Sequence, residues 1–72
     1  MSNVPLDLGN GYTLSIIADV AGLVEVALIH DDHGFINTSL WFYAVTDDVV
    51  RHMNADQLII ALVKAKAYAK GE

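Results

Sequence analysis

The sequence predicts an α+β fold: an antiparallel β-meander of three to four strands, with one C-terminal α-helix packed on one face, ββββα in two layers. Three observations carry this. Apolar residues alternate with polar ones from Val4 onward in runs broken by Gly and Asp, the period of half-buried strands. After Met53 the period changes, and the chain becomes rich in the helix formers Ala, Leu and Lys. All four basic residues, Arg51, Lys64, Lys66 and Lys70, lie after residue 50, whereas residues 1–50 carry seven acidic side chains and no Lys or Arg.

The first strand is Val4-Pro5-Leu6-Asp7-Leu8, and Pro5, which has no N–H to give a ladder, makes it an edge. Gly9-Asn10-Gly11 supplies a three-residue hairpin loop. Pairing Leu8 with Tyr12 sets Leu6 against Leu14 and Val4 against Ile16, all on one side of the sheet. Tyr12 to Val20 is the clearest strand, with Tyr12, Leu14, Ile16, Ala18 and Val20 on one face and Thr13, Ser15 and Asp19 on the other. Ala21-Gly22 ends it. Leu23 to His30 follows, with Val24, Val26 and Leu28 on one side and Glu25, Ala27 and Ile29 opposite. His30-Asp31-Asp32-His33-Gly34 reads as a turn.

Phe35 to Val45 reads as a third long strand, placing Ile36, Thr38, Leu40, Phe42 and Ala44 inward and Trp41, Tyr43 and Val45 outward. Thr46-Asp47-Asp48 stops it and caps a short helical turn through Met53. The main helix starts at Asn54, a favoured N-cap, with Gln57 three residues on as in a capping box. Met53 and Leu58 stand where a hydrophobic staple needs them. At about 100° per residue, Leu58, Leu62, Ala65 and Ala69 share one narrow arc, flanked by Ile59 and Ala61. The lysines of the last turns suit the negative helix end, and Gly71 suits a C-terminal cap. The helix arc should pack on Leu14, Ile16, Val26, Leu28, Leu40 and Phe42.

The 72 residues make one domain, 1–72. A globule of this size has proportionally much surface to keep wet. Its side chains are nevertheless 54% hydrophobic and only 18% charged, below the usual share of about 25%. That mismatch predicts a protein–protein contact surface, self or foreign. One helix covers one side of the sheet, so Ile17, Ile29, Trp41, Tyr43 and Val45 are the candidate interface on the other, and a homodimer the first expectation. A net charge of −5 argues against direct nucleic-acid binding, which needs clustered Lys and Arg. No apolar stretch approaches the ~18 residues of a membrane span; Leu58 to Val63 is a run of six. With no Cys to report on redox compartment and no signal-peptide pattern at Met1 to Pro5, cytoplasmic residence is the default.

Nothing in the sequence marks a catalytic residue or a cofactor. Ser15, Thr38 and Ser39 lie within strands without a nucleophile elbow, and Gly9-Asn10-Gly11 precedes a strand where a phosphate-cradling loop would precede a helix. His30, Asp32 and His33 form the one group of potential metal ligands, yet adjacent residues of a turn rarely converge on one centre. The bland reading, a solvated acidic turn, outweighs a metal-dependent module there. Trp41-Phe42-Tyr43 offers a possible base-stacking platform, but alternation splits the trio and no basic residue accompanies it.

The leading functional expectation is therefore a small non-enzymatic interaction or accessory protein assembled with itself. An alternative is an acidic inhibitor of a basic, nucleic-acid-binding protein, with Asp31, Asp32, Asp47 and Asp48 as the contacts, since charge complementarity speeds encounter. The stretch Leu6-Asp7-Leu8-Gly9-Asn10-Gly11-Tyr12 resembles the start of some small proteins of bacteriophages and prophages. The resemblance implies an accessory, non-catalytic role and assigns no residue a function.

Overall fold

A computed structural model describes residues 3–43 and 47–71. The chain runs β1 (Asn3–Gly9), β2 (Tyr12–Ala18), β3 (Val24–His30), β4 (Gly34–Ile36), a 3-10 turn (Thr38–Leu40), β5 (Val50–Met53) and α1 (Ala55–Ala69). The sheet is antiparallel in the order β1-β2-β3-β4, and β5 also pairs with β3. One helix packs on this sheet, giving the α+β meander that alternation and capping predict.

The first hairpin has the expected partners Leu6↔Leu14 and Val4↔Ile16. Its turn differs. Gly9, not Leu8, pairs with Tyr12, and the register shifts between Asp7 and Gly9. The loop is thus the two residues Asn10-Gly11, both at positive φ (55° and 83°), as a type I′ turn requires. The extra residue allows Leu8 to be buried at the sheet's end. Ala21 and Gly22, also at positive φ, connect β2 to β3, where Leu23 N–H donates to Val20 C=O. Strands β2 and β3 pair without interruption from Tyr12↔His30 to Ala18↔Val24.

The expected third long strand is not formed. β4 ends at Ile36, opposite Leu28, and the sheet resumes at Val50, opposite Val26. Two positions apart along β3, β4 and β5 are halves of one edge strand, and the described residues between them, 37–43 and 47–49, lie outside the sheet. Local chemistry explains the departure. The Asn37 side chain accepts from Ser39 N–H and Oγ–H, which closes a 3-10 turn in place of an extended segment. Thr38 N–H donates to Asp47 C=O at 2.9 Å, pinning the two legs of the excursion together. The Thr46 to Met53 stretch was expected to hold a short helical turn; Val50–Met53 is instead β5, because its apolar residues Val50 and Met53 complete the core edge of β3. Ala44, Val45 and Thr46 lie outside the described residues.

The core lies between sheet and helix. Leu14, Val26, Leu28, Ile36 and Met53 from the strands meet Ala61, Ala65 and Ala69 from α1, with Leu8 and Trp41 closing the two sides. The helix is turned from the expected arc: the three alanines are fully buried, Leu58 and Leu62 are half-buried beside them, and Ile59 is exposed. Alanine lets helix and sheet approach closely, and the bulkier leucines then straddle the contact line. Leu40, expected in the core, is exposed at the end of the 3-10 turn.

The helix start follows the capping chemistry. Asn54 accepts from Gln57 N–H and Gln57 Oε1 accepts from Asn54 N–H, both at 2.9 Å. At the other end, Lys66 Nζ donates to Leu8 C=O and Asn10 Nδ2 donates to Ala69 C=O at 2.9 Å, tying the last helical turns to the first hairpin.

Candidate interaction surfaces

Two apolar surfaces face solvent on opposite sides of the molecule. The first is the uncovered side of the sheet. Alternation puts Thr13, Ser15 and Ile17 of β2 beside Ile29, Ala27 and Glu25 of β3, and Phe35 of β4 beside Ile29. Ala27 stands where the edge strand is interrupted. A shallow hollow of about 140 Å3 forms there, floored by Ala27 and walled by Ile17, Ile29, Phe35 and Val49. The rim is polar: Ser15 Oγ donates to Asn3 Oδ1 at 2.9 Å, and Arg51 Nε lies 3.7 Å from Glu25 Oε2.

Of the residues expected on this face, Ile17 and Ile29 are there and half-exposed. Trp41 is not. It is 5% exposed and belongs to the helix-side core, because the excursion carries it around the sheet edge toward α1. Its indole Nε1 is buried without a hydrogen-bond partner among the described residues. Tyr43 is 89% exposed, with Lys64 Nζ 4.6 Å from its ring centroid, on the helix side again. Val45 lies outside the described residues. The excursion and the helix enclose a second hollow of about 310 Å3, lined by Trp41, Phe42, Tyr43, Lys64 and Tyr68 among others. Phe35 and Val49 were missed as members of the open face. Period two places Phe35 opposite in sense to Ile36, so its signal was present; that of Val49 was not, because the return of the chain to β3 is a long-range event.

The second surface is the outer side of α1. Ile59, Ile60 and Val63 are 60%, 49% and 66% exposed there. Helices packed by one side normally carry polar residues on the other. Here Asp56 stands in the first turn and Lys64, Lys66 and Lys70 in the last turns, while Ile59, Ile60 and Val63 leave the outer side between them apolar.

The polar clusters close turns or join elements. His30 Nδ1 accepts from Asp32 N–H at 3.1 Å, the His30 and His33 rings stack with centroids 4.6 Å apart, and Tyr12 meets His30 edge-on. Asp31 and Asp32 are exposed on this turn. Among the described residues no three His, Cys, Asp or Glu side chains converge as a metal site would require. Asp47 and Asp48, also exposed, lie at the foot of the excursion. The backbone N–H of Asp48 and, secondly, the Arg51 guanidinium hold the Asp47 carboxyl below the ordinary aspartate range. His52, at positive φ, donates its backbone N–H and its ring Nδ1–H to Asp19 Oδ2 at 3.1 and 2.8 Å. No helix among the described residues is long and apolar enough to cross a membrane.

Compared with models of protein families, with curated proteins and with solved structures, the chain matches none.

Proposed function

We propose that this chain is a small non-catalytic binding protein that works by protein–protein contact through apolar surfaces and assembles with its own kind. One observation carries the reading: Ile59, Ile60 and Val63 stand out from the middle of the helix while its other side is fully packed on the sheet. Contiguous apolar surface on a small chain marks a contact region more often than an accident of composition. The hollow at Ala27, Ile29 and Phe35 supports it from the opposite side, an apolar floor inside a polar rim, as in the anatomy of protein interfaces. The polar clusters already have structural duties, which fits a molecule that holds and does not transform.

Site-specific photocross-linking in cells tests the reading. A photoreactive benzoylphenylalanine at position 35 or 60 should give protein adducts, and the same group at position 7, on the exposed edge strand, should give far fewer. Equal background at all three positions would overturn the proposal.

A further inference from the structure

We infer that the outer face of α1 is the self-association surface, and that two copies pair there with their helices antiparallel about a two-fold axis at Val63. This deepens the reading above and rests on it.

The argument begins with the layout of the stripe. Asp56, Val63 and Lys70 are spaced by seven residues. At 3.6 residues per turn, positions seven apart lie within about 20° of one another, so the three share a line along the outer face. Ile59, Ile60, Ala67 and Lys66, whose Nζ donates to Leu8 C=O, fall beside that line, and the buried alanines Ala61, Ala65 and Ala69 lie on the other side of the helix. The stripe therefore has an acid at its N-terminal end, aliphatic side chains in the middle and a base at its C-terminal end.

Such a layout is complementary to itself in one direction only. When two copies run antiparallel about Val63, any two residues equidistant from it in sequence face each other. Asp56 then meets Lys70 of the second copy, twice by symmetry. Ile59 meets Ala67, a large side chain against a small one, which lets the helices close, and Ile60 meets the aliphatic stem of Lys66, whose charged end is held by Leu8 C=O. Val63 meets Val63 at the axis. The antiparallel arrangement also sets each positive helix N-terminus beside the negative C-terminus of its neighbour. A parallel arrangement would oppose Asp56 to Asp56 and Lys70 to Lys70. An isologous contact of this kind is the commonest way identical chains associate.

The area sets the strength. Fifteen helical residues span about 22 Å, four turns. One such helix pair falls short of the ~800 Å2 per partner of a standard interface, so the dimer belongs to the weak, micromolar class. Close apolar contact supplies its affinity and the two end pairs supply its register.

The test is sedimentation equilibrium of the full chain at high micromolar concentration. The wild type should show the dimer mass, and Val63→Glu should be monomeric with unchanged helical circular dichroism. Asp56→Lys alone and Lys70→Asp alone each put like charges together at both ends. Either should weaken association about tenfold at low salt, a change equal to ~1.4 kcal/mol. The double variant Asp56→Lys with Lys70→Asp should recover most of the wild-type affinity. Both single changes also oppose the helix dipole, so recovery in the double cannot come from a better helix. A wild-type monomer, a dimer that survives Val63→Glu, or a double variant no tighter than the singles would each overturn the pairing. Adducts at position 35 alongside a monomeric wild type would leave the reading of a protein–protein contact surface intact and remove self-association from it.

Discussion

Asp19, at the end of the β2 side of the sheet, holds His52, thirty-three residues away, by both its backbone N–H and its ring. His52 is at φ 58°, a left-handed conformation that a residue with a Cβ rarely adopts. The register shift between Val24 and Val26 lies directly beside it, so the strained residue sits where β5 departs from regular pairing. The carboxylate fastens the irregularity in place. Replacing Asp19 by Ala should lower stability by ~1–3 kcal/mol, the usual penalty for losing hydrogen bonds to a largely buried charged acceptor. A urea melt of Asp19→Ala indistinguishable from wild type would mean that β5 is held by its ladder alone.

Ala21 is another non-glycine residue at positive φ, in the turn from β2 to β3, at 52°. Its neighbourhood is open and its side chain does nothing there. Ala21→Gly should stabilise the protein by ~0.5–1 kcal/mol, less whatever the added freedom of the unfolded chain takes back. Thermal unfolding reads this directly, and a lowered midpoint would mean that the left-handed conformation of Ala21 costs less than the freedom glycine adds to the unfolded chain.

Leu28 and Ile60 are comparable in size and opposite in situation. Leu28 is fully buried at the centre of β3, whereas Ile60 is on the outer helix face. Leu28→Ala should lose ~2–5 kcal/mol, a large part of what so small a domain possesses. Ile60→Ala should change monomer stability by no more than ~0.5 kcal/mol when measured at low concentration, where association does not contribute. Equal losses would mean that the helix is rotated from the described packing.

Ala65 tests closeness of approach. It has no exposed surface between α1 and the sheet. Ala65→Leu should cost about 1–3 kcal/mol by forcing the two layers apart. Chemical denaturation with an unchanged or raised midpoint would show that the helix has room to move away.

The foot of the excursion should respond to acid. The Asp47 carboxyl is held below its ordinary range when folded, chiefly by the Asp48 N–H and then by Arg51. A depressed folded-state value contributes stability that is fully present above the unfolded value, ~3.9, and is lost as pH falls through the folded one. Asp47→Asn should therefore be less stable than wild type near neutrality, and the gap should close as pH drops below about 4. The effect is small because the group is exposed to solvent. A gap that persists undiminished at pH 2 would assign it to side-chain contacts that do not depend on the Asp47 charge.

The parts of this fold that were legible in the sequence are those decided locally. Leu6, Leu14, Val4 and Ile16 alternate on both arms of one short hairpin, so only one register puts them on the same face. Asn54 and Gln57 state the helix start within four residues. The segment from Phe35 to Val45 has an equally regular alternation, yet its described residues are strand only as far as Ile36. There the Asn37 side chain competes for nearby donors, and Val50 and Met53, remote in sequence, take the free half of β3. Once the chain leaves the sheet, period two no longer says which way Trp41 points. The candidate surface was legible as an excess of apolar residues. Its location was not, because the helix settled on its alanines and turned Ile59, Ile60 and Val63 outward.

The divided edge strand has a consequence for how this molecule keeps company. A long flat strand at a sheet margin invites another chain to add itself by backbone hydrogen bonds, the route to fibrils. Here one margin, β1, carries Pro5 and Asp7 and shifts register near its end, and the other is broken into pieces of three and four residues by the excursion. Neither offers a continuous template. A chain that is more than half hydrophobic can thus expose apolar faces while its margins resist runaway strand addition.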